Sequence, residues 1–210
     1  MRVRITWISG WGVDPLRWQT AALRWLPRDS HAFLPPRAGA AEAAASSDVV
    51  IAWSFGAWRV LAAASRGLVF QGRVVLLAPF VAFCAEHGCG GKCAQAQVRW
   101  LRRWLSRDAP AALADFHQRA GLGDPPAGIP DSLDNLFEGL DRLAEDASPA
   151  LRRFAASGLP SAWAAVVGNQ DALLDGEAVC RTLPGCRIVP GATHAPETLL
   201  PPVKESFRAL

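Results

Sequence analysis

The stretch Asp48-Val49-Val50-Ile51-Ala52-Trp53-Ser54-Phe55-Gly56-Ala57-Trp58 carries the strongest signal for the fold. Its apolar run, Val49 to Ala52, predicts a buried strand, and the alanine-rich residues after Gly56 predict a helix. Ser54 stands at the sharp turn between them, with small residues two positions before it and two positions after it. The turn brings the strand and helix backbones close together, so small side chains are needed beside it. This layout is typical of a nucleophile elbow, and the plainer alternative is an ordinary turn whose serine caps the helix.

The composition is that of an ordinary globular protein. The 210 residues are enough for one well-buried domain; half of them are hydrophobic and a fifth are charged. The net charge of +3 is too small to indicate nucleic acid as the partner. No apolar stretch reaches the length that spans a membrane, and no leader pattern precedes the first predicted strand. We therefore expect a cytoplasmic protein that contacts no membrane.

Strands and helices alternate along most of the chain. Six strands are predicted, at 3–8, 31–34, 49–52, 73–78, 161–167 and 186–190. This alternation predicts the α/β class, with a mostly parallel sheet of about six strands and a closing helix at 202–210. The segment between the fourth and fifth strands has instead four helical stretches, near 94–106, 109–120, 131–145 and 148–156. We expect a single domain with a core of 1–79 and 159–210 and a helical cap insertion at 80–158.

Polar residues follow the last two predicted strands. Asp171 comes after strand 161–167, and His194 comes after strand 186–190. Carboxyl ends of parallel strands share one edge of a sheet, so we expect both side chains to meet Ser54 there. A serine nucleophile needs a base for its proton, and the base needs an acid to hold its tautomer. The chain order Ser54, Asp171, His194 is that of the α/β-hydrolase triad. Taken singly, Asp171 has an alternative interpretation as a turn cap, and His194 as an ordinary loop histidine.

A glycine-rich loop follows the first predicted strand. Its sequence, Ser9-Gly10-Trp11-Gly12, exposes backbone N–H groups at the same edge of the sheet as the candidate triad. Ester hydrolysis needs two such donors for the developing oxyanion, one of them from the residue after the nucleophile. We predict that these donors are the backbone N–H groups of Trp11 and Phe55.

Three blocks, Gly10-Trp11-Gly12, Ala52 to Trp58 and Thr193-His194-Ala195-Pro196, resemble the α/β-hydrolase esterases of biotin synthesis. Those enzymes hydrolyse the methyl ester of pimeloyl-acyl-carrier protein. The resemblance implies an α/β-hydrolase fold and a serine carboxylesterase that works through an acyl-enzyme, with no cofactor and no metal ion. It also implies a partner, an acyl-carrier protein bearing a pimeloyl methyl ester. Ser9 and Ala52 depart from the family, in which many members have His and Gly at these positions.

The resemblance also suggests that Trp11, Phe55 and cap residues line an apolar acyl pocket. Two alternatives remain beside the proposed ester. One is a general carboxylesterase or thioesterase that acts on small acyl esters, and the other is a non-catalytic binding protein with a hydrolase fold. The ordered serine, aspartate and histidine favour an enzyme over a binding protein.

The first predicted helix of the cap carries four arginines at spacings of three and four, which places them on one face: Arg99, Arg102, Arg103 and Arg107. One interpretation is an ordinary solvated face, and the other is a docking surface for an acidic partner. In the family that the sequence resembles, cap arginines contact the acyl-carrier protein. The resemblance therefore favours docking.

Cys84, Cys89 and Cys93, with His87 among them, are not required by a hydrolase. Their spacing lacks the paired Cys-x2-Cys signature of zinc sites, so a metal ion, a redox-sensitive disulfide and unreactive thiols remain alternatives. The total of five cysteines is odd and does not indicate the disulfide framework of a secreted protein.

Overall fold

The structure is a computed structural model that describes residues 2–27, 29–125 and 127–203, without the side chain of Trp25. Six strands form one sheet: β1 (Arg4–Ile8), β2 (Ser30–Leu34), β3 (Val49–Trp53), β4 (Arg73–Leu77), β5 (Trp163–Gly168) and β6 (Cys186–Val189). The strand order is β2-β1-β3-β4-β5-β6, and every neighbouring pair is parallel. The predicted six-stranded parallel sheet is confirmed.

The centre of the sheet is buried on both faces. All five residues of β3 are buried, and so are the last four residues of β4. Such strands have continuous apolar sequences because helices cover both faces of a parallel sheet. Five helices outside the segment between β4 and β5 are α1 (Gln19–Trp25), α2 (Ala40–Ala44), α3 (Phe55–Ser65), α8 (Gly176–Thr182) and α9 (Pro196–Leu199).

The segment between β4 and β5 contains four α-helices: α4 (Gln95–Leu105), α5 (Ala109–Arg119), α6 (Leu133–Ala144) and α7 (Pro149–Ala156). Helix α4 packs against both α5 and α6, whereas α7 packs against α3 and α8 beside the sheet. The starts of α5, α6 and α7 are capped by Asp108, Ser132 and Ser148, whose side chains accept a backbone N–H from the first turn.

The end of the chain differs from the prediction. Helix α9 begins at Pro196, directly after loop 190–195, called the histidine loop from here on because it carries His194. Pro201–Val203 forms a single 3-10 turn. The predicted closing helix at 202–210 falls mainly on residues 204–210, which lie outside the described part of the chain. Among the helices that the structure describes, none has the length and apolar character needed to cross a membrane.

Candidate active site

The turn between β3 and α3 holds Ser54 in a strained conformation. Its φ is +54° and its ψ is −119°, in a region that costs a non-glycine residue about 1–3 kcal/mol. Two backbone hydrogen bonds hold the turn, from Ser54 N to the Leu77 carbonyl at 2.8 Å and from Trp58 N to the Ser54 carbonyl at 3.0 Å. A Cβ added at Gly56 would lie 2.5 Å from the Ser9 carbonyl oxygen, so the turn needs glycine at this position.

Ser54, His194 and Asp171 form one chain of hydrogen bonds. His194 Nε2 lies 2.9 Å from Ser54 Oγ, and His194 Nδ1 lies 2.8 Å from Asp171 Oδ2. The carboxylate accepts the Nδ1 proton, which leaves Nε2 as an acceptor for the serine hydroxyl. All three are buried, with exposed fractions of 7% for Ser54 and 1% for each partner. The structure thus brings together the three residues predicted as a triad.

The carboxylate of Asp171 is fixed by its own loop. Its Oδ1 accepts the backbone N–H groups of Leu173 at 2.8 Å and Leu174 at 3.0 Å, while Oδ2 accepts from His194. These charge-assisted hydrogen bonds restrict the rotation of the carboxylate. Asp175 differs, because its carboxylate caps helix α8 through the N–H groups of Glu177 and Ala178.

Trp53, which was not predicted as a site residue, supports the histidine loop. Its indole Nε1 donates to the His194 carbonyl at 2.9 Å, and the two rings lie 5.6 Å apart. The sequence signal was a bulky aromatic residue directly before the serine, on a strand that is otherwise aliphatic. Trp53 therefore links the serine turn to the histidine loop.

The glycine loop Ser9–Gly12, called the oxyanion loop from here on, passes beside the serine. A Cβ added at Gly10 would lie 3.3 Å from the Ser54 Cβ and 2.9 Å from the Trp53 ring. Phe55 is the first residue of α3, so its N–H has no acceptor within the helix. The Trp11 N–H donates to no residue in the described part of the chain. Both N–H groups are thus without an acceptor in the described part of the chain, and both belong to turns that adjoin Ser54.

Two helices of the segment between β4 and β5 hold the oxyanion loop. The Trp11 indole donates to the Leu136 carbonyl of α6 at 2.9 Å and meets the Phe116 ring of α5 edge-on at 4.8 Å. His117 of α5 is buried, and its Nε2 lies 2.9 Å from the Gly12 carbonyl oxygen. These contacts fix the loop from the side opposite to the sheet.

A cavity of about 220 Å³ lies between α4, α5, α6 and loop 169–175, called the aspartate loop from here on because it carries Asp171. Its apolar lining includes Val98, Leu101 and Leu140, and its polar lining includes Lys92 and Arg119. Trp11 and Phe55, which are predicted to line an acyl pocket, do not line this cavity. Both side chains are instead packed into the core, Trp11 against Phe116 and Phe55 against Trp58, with ring centroids 4.8 and 5.3 Å apart.

The four cap arginines are exposed, but they do not share one face. Arg102 pairs with Asp141 of α6 through two hydrogen bonds of 2.6 and 3.1 Å. Arg103 and Arg107 instead border an outer groove together with Trp100 and Trp104. Successive helical residues are separated by about 100°, so Arg102 reaches α6 while Arg103 points away from it. Arg99 lies on the side of Glu86. Hydrogen bonds from backbone N–H groups lower the pKa of Glu86, and the positive charge of Arg99 lowers it further.

The cysteine segment, residues 84–93, contains free thiols that are buried at Cys84 and Cys89 and half-buried at Cys93. Cys84 and Cys93 are paired through a β-bridge, and burial raises the pKa of Cys84 to about 12 and that of Cys93 to about 11. Protonated thiols are poor nucleophiles and poor metal ligands, which favours the interpretation of unreactive thiols. Within the described ranges, no group of three histidine, cysteine or acidic side chains is placed to hold a metal ion.

No protein-family profile matches the sequence, and no curated protein sequence matches it. Solved structures are similar over nearly the whole chain. An esterase from Rhodococcus sp. ECU1013 is 17% identical with a TM-score of 0.63, covering 99% of this chain and 90% of that one. An esterase from Exiguobacterium antarcticum is 12% identical with a TM-score of 0.69, covering 99% of this chain and 91% of that one. The N-acyl homoserine lactonase AidH is 16% identical with a TM-score of 0.62, covering 100% of this chain and 88% of that one. The chain therefore has the α/β-hydrolase fold.

Proposed function

We propose that this protein is a serine ester hydrolase. The observation that carries the proposal is the buried chain of hydrogen bonds from Ser54 through His194 to Asp171, at 2.9 and 2.8 Å. A general base within hydrogen-bond reach is what a serine hydroxyl needs for attack on a carbonyl. The structural relatives include esterases and a lactonase, which supports acyl transfer as the reaction class.

The proposed reaction has two halves. Ser54 Oγ attacks the ester carbonyl while its proton passes to His194 Nε2, and the oxyanion accepts the N–H groups of Trp11 and Phe55. His194 then gives that proton to the leaving alcohol, which leaves an acyl group on Ser54. A water molecule attacks the acyl-enzyme, His194 takes its proton, and the acid departs as Ser54 Oγ recovers a proton. Asp171 stays ionised throughout and stabilises the imidazolium.

Replacement of the serine tests the proposal. We expect Ser54→Ala to lower kcat for short p-nitrophenyl esters by at least about 10⁴-fold and to abolish labelling by a fluorophosphonate probe. Ser157→Ala is the matched control, because its exposed hydroxyl only donates to the Phe154 carbonyl. Labelling that persists in Ser54→Ala would remove Ser54 from its role. A wild-type protein that binds esters without hydrolysing them would favour a non-catalytic binding protein.

We further propose that the substrate is a carrier-bound acyl methyl ester, with pimeloyl-acyl-carrier protein methyl ester as the first candidate. The resemblance of three sequence blocks supports this choice. The largely apolar cavity beside the aspartate loop is suited to a methylene chain. Arg103 and Arg107 offer guanidinium groups to an acidic carrier in the outer groove, whereas Arg102 is already paired with Asp141.

The double variant Arg103→Glu/Arg107→Glu tests the carrier. We expect kcat/KM for the carrier-bound ester to fall about 10- to 100-fold at low salt, while turnover of a free methyl ester stays within about two-fold. The loss should shrink as salt is added, since the arginines are exposed. Arg187→Glu, at an exposed position on β6, is the charge control. Equal losses on both substrates, or none, would favour a general esterase or thioesterase over a carrier-dependent enzyme.

A further inference from the structure

Residues Gly90–Lys92, called the brace from here on, lie alongside the aspartate loop. Asp175 N donates to the Gly90 carbonyl at 2.7 Å, and Lys92 N donates to the Leu173 carbonyl at 2.9 Å. Between these bonds, Gly91 and Leu174 form an antiparallel bridge. The brace and the aspartate loop therefore form a short two-stranded ladder, although 79 residues separate Lys92 from Asp171.

Lys92 adds a side-chain contact to this ladder. Its Nζ donates to the main-chain carbonyl of Asp171 at 2.6 Å. In the described residues, the Lys92 ammonium has no carboxylate within ion-pair distance. A hydrogen bond from a charged donor is stronger than one between neutral groups. The ammonium thus binds the main chain of the candidate acid.

The brace packs closely against its neighbours on both sides. A Cβ added at Gly91 would lie 1.6 Å from the Phe83 carbonyl oxygen, and one added at Gly90 would lie 2.8 Å from the backbone nitrogen of Val179. Only glycine fits at such close backbone approaches. The backbone that carries Lys92 is therefore packed between the loop after β4 on one side and helix α8 on the other.

We propose that Lys92 is a positioning residue for the acid of the triad. Its ammonium holds the Asp171 carbonyl, and the N–H groups of Leu173 and Leu174 hold Oδ1. Together these bonds orient Oδ2 to accept the proton of His194 Nδ1. The inference rests on the proposed function, since it takes Asp171 as the acid that orients His194. The cysteine segment then has a structural role. Cys93 directly follows the brace, and the β-bridge between Cys93 and Cys84 closes the loop that carries the brace.

The kinetic test compares Lys92→Met, which keeps the apolar stem, with Lys92→Arg, which keeps the charge. The substrate is a short acetyl ester, because Lys92 also lines the cavity and a longer chain would reach it. We expect Lys92→Met to lower kcat about 10- to 100-fold with KM within about two-fold, and Lys92→Arg to restore most of kcat. Arg24→Met, which removes an exposed cation from α1, should behave as the wild type.

A second measurement needs no turnover. The proton between His194 Nδ1 and Asp171 Oδ2 should give a far-downfield ¹H NMR signal in the wild type, a broadened or shifted signal in Lys92→Met, and a restored signal in Lys92→Arg. Wild-type kcat together with an unchanged signal in Lys92→Met would overturn the inference. Equal impairment of both lysine variants with a parallel fall in Tm would overturn it too. If the wild type hydrolyses no ester, the proposed function fails, and the NMR comparison alone then decides whether Lys92 positions Asp171.

Discussion

His117 contacts the oxyanion loop from α5 and is held there in its neutral form. Burial lowers the pKa of His117 below its ordinary value near 6.5, and the hydrogen bond to the Gly12 carbonyl offsets only part of that effect. Its Nε2–H donates to the Gly12 carbonyl, while Nδ1 has no hydrogen-bond partner among the described residues. Protonation would place a second proton on Nδ1 of a buried ring, and the nearby Asp124 backbone offsets less of that cost than burial imposes.

This environment makes stability depend on pH. Just below pH 6.5 the unfolded chain binds a proton at His117 that the folded chain does not, so the free energy of unfolding falls as the pH is lowered from that value through the folded pKa. We expect His117→Gln to have a smaller difference in urea-unfolding free energy between about pH 7.5 and 5.5 than the wild type. Its amide can still donate to the Gly12 carbonyl. Equal differences in the two proteins would contradict this account of His117.

At the scale of elements, the approach of α3 to β1 sets the position of Ser54. A Cβ added at Gly56 would lie 2.5 Å from the Ser9 carbonyl oxygen and 2.7 Å from the Ile8 carbonyl oxygen. We expect Gly56→Ala to destabilise the protein by about 1–3 kcal/mol in urea unfolding and to lower kcat, because α3 must shift away from β1. Gly128→Ala is the control: a Cβ there meets no atom within 4 Å, so its effect should stay within about 0.5 kcal/mol. Equal stabilities of the two variants would show that the close approach of Gly56 to the Ser9 and Ile8 carbonyl oxygens does not require glycine.

Most of these elements follow from local sequence patterns. The strands of the sheet were predictable because burial on both faces demands continuous apolar runs such as Val74 to Leu77. The position of α7 against α3 was not, since an amphipathic helix does not specify which apolar surface it covers. Arg102 and Arg103 illustrate the same limit, because spacing places both on α4 but only packing shows that Asp141 of α6 takes one of them.

At the scale of the whole molecule, loops that follow five adjacent strands contribute to the candidate site. The oxyanion loop follows β1, Ser54 follows β3, the brace lies beyond β4, Asp171 follows β5 and His194 follows β6. Strand order and the rule that parallel strands end together made the meeting of Ser54, Asp171 and His194 predictable. The contacts of Lys92 and of the Trp11 side chain were not, because they join residues 79 and 125 positions apart that no motif connects.

The contact between Trp53 and His194 has an optical consequence. The chain has nine tryptophans and no tyrosine, so its ultraviolet emission comes from indole rings alone. One of these rings lies 5.6 Å from the imidazole of His194 and donates to its carbonyl. Imidazolium quenches a nearby indole more strongly than neutral imidazole does. We therefore expect the emission of Trp53 to report on changes at His194, which makes this indole an internal optical probe of the candidate site.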